Sequence, residues 1–190
     1  MDVTNIAVFA GSLRRQSFSR KLANSLISLA PVRLVLEIVE IGALPLYNQD
    51  FDDDGAVPEA YRVFRERVKS ADGFLFVTPE YNRSVPAVLK NALDVASRPR
   101  GANCWDAKPG AVVSVSPGAM GAFGANHHLR QSLVFLNVLA MQQPEAYIGG
   151  AAALFDAEGA IVNDSTREFL SAFLRSFAAW TARLQPPRHP

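Results

Sequence analysis

Residues 73–78 read Gly-Phe-Leu-Phe-Val-Thr. Phe74 to Val77 are apolar without a break. Alternation with period two would mark a strand with one wet face. A short unbroken run between turn residues marks a strand buried on both faces. Such strands belong to parallel sheets covered by helices, so this one is placed at the sheet centre. Pro79 to Pro86 follows as a loop with a proline at each end, and a helical pattern then runs to about Ser97.

Working outward, the strand–loop–helix unit recurs. Asn5 to Ala10 is an apolar run closed by Gly11-Ser12, and a helix follows from about Phe18 to Ala30. Val32 to Ile41 is the next strand, apolar on most of both faces. Gly42 to Pro58, rich in Gly, Pro, Asn and Asp, is mostly loop, and a helix runs from about Pro58 to Ala71. On the other side, Ala111 to Val115 is a strand ended by Ser116-Pro117-Gly118. A helix spans about Asn126 to Leu139, and Ala146 to Ile148 begins the last strand. The final helix opens on Ser165 and Glu168, spaced as a capping box. Phe169, Leu170, Phe173, Leu174, Phe177, Trp180, Thr181 and Leu184 then recur at helical spacing, and 185–190 is expected to be a loose tail. Five strands with intervening helices predict a three-layer α/β/α sandwich around a five-stranded parallel sheet, order 2-1-3-4-5, in one domain over 1–190.

Composition narrows the function. With 190 residues, 49% of them hydrophobic and 19% charged, the chain suits a single well-filled core. A formal net charge of +1 gives no footprint for nucleic acid or a membrane surface. Cys104 is the single cysteine, which suits a reducing compartment, and the short apolar run after Met1 reads as a strand and not as a leader. The expected location is the cytoplasm.

In an open parallel sheet, ligands bind beyond the carboxyl ends of the strands, near the switch in strand order. Three loops are expected there. Gly11 to Arg20 is rich in hydroxyls and arginine and leads into a helix, so hydroxyls and backbone N–H groups can converge on an anion at the positive helix end. It matches neither G-x-G-x-x-G nor G-x-x-x-x-G-K-[ST], and suits one terminal phosphate better than a pyrophosphate. The same serine is also an ordinary helix cap. Thr78 to Pro86 is stiff enough to hold backbone N–H groups against a flat ring, or is a plain connection. Ser116 to Gly121 is small enough for close backbone approach, or is a flexible turn.

GSLRRQSFS (11–19), TPEYNRSVPAVLKNALDVASRP (78–99) and HLRQSLVFLNVLAMQQPE (128–145) together resemble the NADPH-dependent FMN reductases, a family that includes quinone, chromate and azo-dye reductases. The resemblance runs from about Ile6 to Glu145. It implies a flavodoxin-like fold, non-covalent FMN, NADPH or NADH as co-substrate, and homodimers or homotetramers. By matching position, Ser12, Arg14, Ser17, Phe18 and Ser19 fall in the phosphate loop. Pro79, Glu80, Tyr81 and Asn82 fall in the loop edging the flavin ring, and Ser116 and Gly118 in the third contact loop. Arg83 stands where many members carry a second tyrosine, and His127 where an aromatic residue is common.

The implied reaction passes hydride from nicotinamide to flavin N5 and then to a small acceptor, by ping-pong kinetics. Candidate acceptors are quinone, free flavin, ferric chelate, chromate and azo compounds. Flavin carries the chemistry, so no catalytic side chain and no metal are expected. Arg83 is a candidate contact for the 2′-phosphate of NADPH or for an acidic acceptor, and equally a surface arginine. Arg130 and Glu145 are candidates for pairing across a subunit interface. The alternative to an enzyme is a flavodoxin-like electron carrier or redox sensor, although near-neutral charge favours the enzyme.

Other signals are weaker. Cys104 has no resolving partner, and His127 and His128 point to different helix faces without a metal-ligand cluster. Asp50, Asp52, Asp53 and Asp54 lack an EF-hand pattern and read as a solvated acidic loop. Ser114 to Gly118 is not a nucleophile elbow, because Ser114 stands where the first glycine of G-x-S-x-G belongs.

Overall fold

The computed structural model describes residues 3–184; the expected tail at 185–190 lies outside them. Strand β1 is Thr4–Ala10, followed by helix α1 (Phe18–Leu29), β2 (Leu34–Ile38), α2 (Asp50–Asp53), α3 (Glu59–Ser70), β3 (Gly73–Thr78) and α4 (Ala87–Ala96). Then come β4 (Pro109–Val115), α5 (Phe123–Phe135), β5 (Leu139–Ala140), β6 (Ala146–Ile148) and α6 (Asp164–Leu184). All pairings in the sheet are parallel. Its order is β2-β1-β3-β4-β5, with β6 also paired to β4.

The expected order holds, with β3 in the middle and every residue of it buried. The fifth position is divided: β5 pairs Pro109 and Gly110, and β6 pairs Val113 to Val115, along one edge of β4. A two-residue strand has no periodicity to read, so the sequence pattern predicts only the later piece. Strand β2 is shorter than expected, and Val35 and Glu37 are exposed. It is an edge strand, and edge position rather than apolar content decides which of its faces is covered.

Alternation along the buried strands feeds two cores. Ile6 and Val8 face one side with Leu22 and Leu26 of α1 and Phe173 and Phe177 of α6. Ala7 and Phe9 face the other with Tyr61 and Phe64 of α3, Leu89 and Leu93 of α4, and Leu129 and Leu133 of α5. Trp105 fills the second core, its ring 4.8 Å from Phe74 and 5.3 Å from Phe9, while its Nε1–H donates to the carbonyl of Leu93 at 3.0 Å. A buried indole thus has its polar atom satisfied.

Two local expectations change. The Ser165–Glu168 box is replaced by Asn163, whose Oδ1 accepts from the Thr166 N–H at 2.8 Å and from the Ser165 hydroxyl at 2.7 Å. The acidic loop is not solvated throughout: Asp52 lies in α2, and its carboxylate takes a two-pronged hydrogen bond from Arg65 at 2.6 and 2.8 Å, both side chains largely buried. Arg65 holds the Asp52 carboxyl below the usual carboxylate range.

Candidate functional site

The loops after β1, β3 and β4 open at the carboxyl edge of the sheet, where the chain switches from β2 on one side of β1 to β3 on the other. Between them is a cavity of about 420 Å³, within the ordinary range for ligand sites. Ser12, Arg14, Ser17, Phe18, Ser19, Pro79, Glu80, Tyr81 and Ser116 line it, together with Val115 and Pro117. Nine of the twelve expected positions therefore converge. Asn82, Arg83 and Gly118 sit outside the lining. Val115 and Pro117 were missed, although both flank Ser116 in sequence.

Glycine at position 11 permits the convergence. A Cβ there would lie 2.9 Å from Cδ of Pro79, so the first and second loops approach only because none is present. Ser17 caps α1: its Oγ accepts from the Arg20 N–H at 3.2 Å, and Ser17 and Ser19 hydroxyls lie 2.9 Å apart. The cap and the anion readings describe the same atoms. A capping oxygen accepts the amide proton and retains its own proton to donate, while the first-turn N–H groups of α1 have no acceptor inside the helix. Ser12, Ser17 and Ser19 are at most 4% exposed, so three hydroxyls are held out of water on the cavity wall.

Two neighbours brace this loop. Arg20 makes a bidentate ion pair with Glu40 at 2.6 Å, which lowers the pKa of Glu40 and raises that of Arg20. The side chain of Leu13 occupies the space that a Cβ at Gly42 would need.

The second loop is a tight hairpin. Tyr81 and Ser84 exchange backbone hydrogen bonds of 3.1 and 3.0 Å, and Asn82 and Arg83 between them have φ of 52° and 65°. Two consecutive left-handed residues make a type I′ turn, which Asn favours and Arg tolerates only under constraint. The constraint comes from α5. The Glu80 carboxylate accepts from the Ala125 N–H at 2.9 Å, at the positive end of that helix, and Ser84 Oγ lies 2.8 Å from His128 Nδ1. The Glu80 side chain thus serves α5, leaving its backbone toward the cavity. His127 faces elsewhere, with Nε2 2.9 Å from the Tyr147 hydroxyl.

The third loop is tied down by Ser116. Its amide donates to the Ile148 carbonyl at 3.0 Å, its Oγ to the Gly118 carbonyl at 3.1 Å, and that Oγ accepts from the Ala122 N–H at 3.2 Å. Within the chain, Arg130 Nε donates to Asn126 Oδ1 at 2.9 Å and Nη1 to the Met141 carbonyl at 3.0 Å, while Nη2 has no partner among the described residues. Burial raises the pKa of the Cys104 thiol, the direction opposite to that which favours a thiolate. No metal-binding cluster occurs among the described residues.

This donor set fits FMN. Buried hydroxyls, a helix start and Arg14 suit a phosphate monoester, and Pro79, Tyr81 and Val115 add apolar wall beside backbone polar groups.

A flavodoxin-like sheet with a hydroxyl-lined cavity at its switch point defines a mononucleotide-binding class. Residues 4–153 match the family model described as NADPH-dependent FMN reductase, and the chain belongs to that family. A quinone reductase of Pseudomonas putida is 61% identical over 179 residues, covering 94% of this chain and 95% of that protein. A 2-hydroxy-1,4-benzoquinone reductase of Burkholderia sp is 51% identical, covering 92% and 94%. The structure of FerB, a flavoenzyme NAD(P)H:(acceptor) oxidoreductase from Paracoccus denitrificans, superposes with a TM-score of 0.89 at 40% identity, covering 96% of this chain and 99% of that one.

Proposed function

We propose that this chain is an FMN-dependent NAD(P)H:quinone reductase working by ping-pong kinetics. The observation that carries this reading is the single cavity on which nine positions from three separate loops converge. FMN, when bound, supplies the two-electron chemistry between nicotinamide and acceptor. Ser12 and one hydroxyl of the hydrogen-bonded Ser17–Ser19 pair donate protons to its phosphate, Arg14 adds charge, and the start of α1 orients it. Backbone groups of Pro79, Glu80 and Tyr81 edge the ring system, with Ser116, Pro117 and Gly118 on the opposite loop. Asn82 and Arg83 are exposed at the tip of the second loop, outside the cavity lining, and in this reading Arg83 meets the 2′-phosphate of NADPH.

The quinone is chosen over other acceptors because two relatives above 50% identity are quinone reductases. A cytoplasmic homo-oligomer completes the reading. Val134 and Phe135 on α5 are 76% and 81% exposed and Phe123 is 44% exposed, an apolar face suited to a second copy. No helix among the described residues is long and apolar enough to cross a membrane.

The test is anaerobic. Purified protein shows a flavin spectrum, NADPH or NADH bleaches it, and benzoquinone restores it in a separate step. A colourless protein that fails to take up FMN overturns the proposal. FMN binding without bleaching by either nicotinamide assigns an electron carrier instead. A monomeric mass by light scattering at micromolar concentration overturns the oligomer, and an unchanged oligomeric mass in Phe135→Asp overturns this face as its interface.

A further inference from the structure

We propose that Phe155 is a positioning residue for the phosphate end of FMN, acting through Phe18 on Arg14. The inference rests on the reading of Arg14 as a phosphate contact. It concerns a residue just beyond the stretch 4–153 that the family model matches.

Three groups form a chain of two pairwise contacts, both through the Phe18 ring. The guanidinium carbon of Arg14 lies 5.8 Å from the centroid of the Phe18 ring. The Phe155 ring lies 6.2 Å from that of Phe18, at an interplanar angle of 13°. Phe18 is the first residue of α1, between the buried hydroxyls of Ser17 and Ser19, so its backbone is set by the helix start. Its ring is then set by Phe155. Arg14 itself has no carboxylate partner among the described residues. A long cationic side chain on an exposed loop normally loses rotamer freedom when it binds an anion. Resting on an aromatic face reduces that loss beforehand.

Phe155 is held firmly enough to do this. It pairs with Ile161 in a short antiparallel bridge. The Val162 N–H donates to the Leu154 carbonyl and the Asp156 N–H to the Ala160 carbonyl, each at 3.0 Å. Leu154 and Ile161 are buried in the core with α1 and α6. Arg167 of α6 donates to the Ile161 carbonyl at 3.2 Å. A hairpin anchored in the core thus carries one partly buried ring to the back of the phosphate loop.

Riboflavin, which lacks the phosphate, separates positioning from general damage. The full chain is stripped of FMN, and dissociation constants for FMN and riboflavin are read by fluorescence quenching. Phe155→Leu is expected to raise the FMN Kd roughly two- to fivefold, the range for an exposed cation–π contact, with riboflavin unchanged. Phe155→Tyr restores the wild-type ratio. Arg14→Ala lowers the FMN preference at least as much, and the double variant loses no more than Arg14→Ala alone. Should Phe155→Leu fail to fold, Phe155→Met is read in the same way. If the Phe155 variant weakens both flavins equally, or neither, while Arg14→Ala lowers the preference, the positioning role is wrong. If Arg14→Ala leaves the preference unchanged, the phosphate contact itself fails, and the positioning role with it.

Discussion

The phenolic hydroxyl of Tyr81 donates a 3.2 Å hydrogen bond to Oγ of Ser12, joining two loops whose residues are 69 positions apart. Both residues line the cavity. Accepting from Tyr81 leaves the Ser12 proton available to an anion. Ser12→Ala is therefore expected to raise the FMN Kd at least roughly tenfold, as loss of a hydrogen bond to a charged group does. Tyr81→Phe removes only the bracing and is expected to change it less than about threefold. Fluorescence titration of the stripped protein compares the two, and equal losses would contradict the assignment.

Ser17 holds two roles that separate by measurement. Ser17→Ala removes the cap on Arg20 N–H, which costs about 1 kcal/mol. In a domain of this size that lowers the Tm of the FMN-free protein by roughly 2–4 °C. FMN affinity falls in addition, so the Tm gap between variant and wild type widens when FMN is added.

The Asp52–Arg65 pair, with its two short bonds and buried side chains, is expected to matter more than the surface pairs. Asp52→Asn leaves the Arg65 charge uncompensated and is expected to destabilise by about 3 kcal/mol, read from urea unfolding at neutral pH. The folded pKa of Asp52 lies below its unfolded value. Its contribution is therefore fully present above about pH 4 and is lost as pH falls through the folded value. The variant's disadvantage should shrink on acidification.

Tyr147 predicts the opposite limb. Burial, with Glu145 adding to it, pushes its pKa up to about 12. Between about pH 10, where an unfolded tyrosine titrates, and that value, the unfolded state has released a proton that the folded state keeps. Stability thus falls as pH rises through this window. Tyr147→Phe should flatten the alkaline part of a urea-midpoint profile, and an unchanged slope would show that Tyr147 does not cause it.

Much of this site was legible residue by residue. Ser12, Ser17 and Ser19 stand where a strand ends and a helix begins, and the family resemblance assigned each of them to one phosphate loop. Pro79 and Tyr81 follow the most apolar strand, which identifies the middle of the sheet. Phe155 was not legible, because a lone phenylalanine before Asp156 has no period and its partner is 137 positions earlier, at 18. The cap of α6 was misread because Asn163, Asp164 and Ser165 all have capping side chains. The structure selects Asn163 as the acceptor. Asp52 looked solvated because only the packing of α3 brings Arg65 over it.

The amino-acid sequence by itself determined the alternation of strands and helices, the strand that is central, and the three loops at the sheet's carboxyl edge. These follow from short-range periodicity and turn chemistry, which act between neighbours in the chain. Only the tertiary structure decided the division of the fifth strand, the hydrogen bonds of Arg130 within the chain, and the Arg14–Phe18–Phe155 contacts. Those depend on backbone pairing and side-chain packing between distant segments, where the free energy of a contact belongs to the pair and leaves no mark on either residue alone.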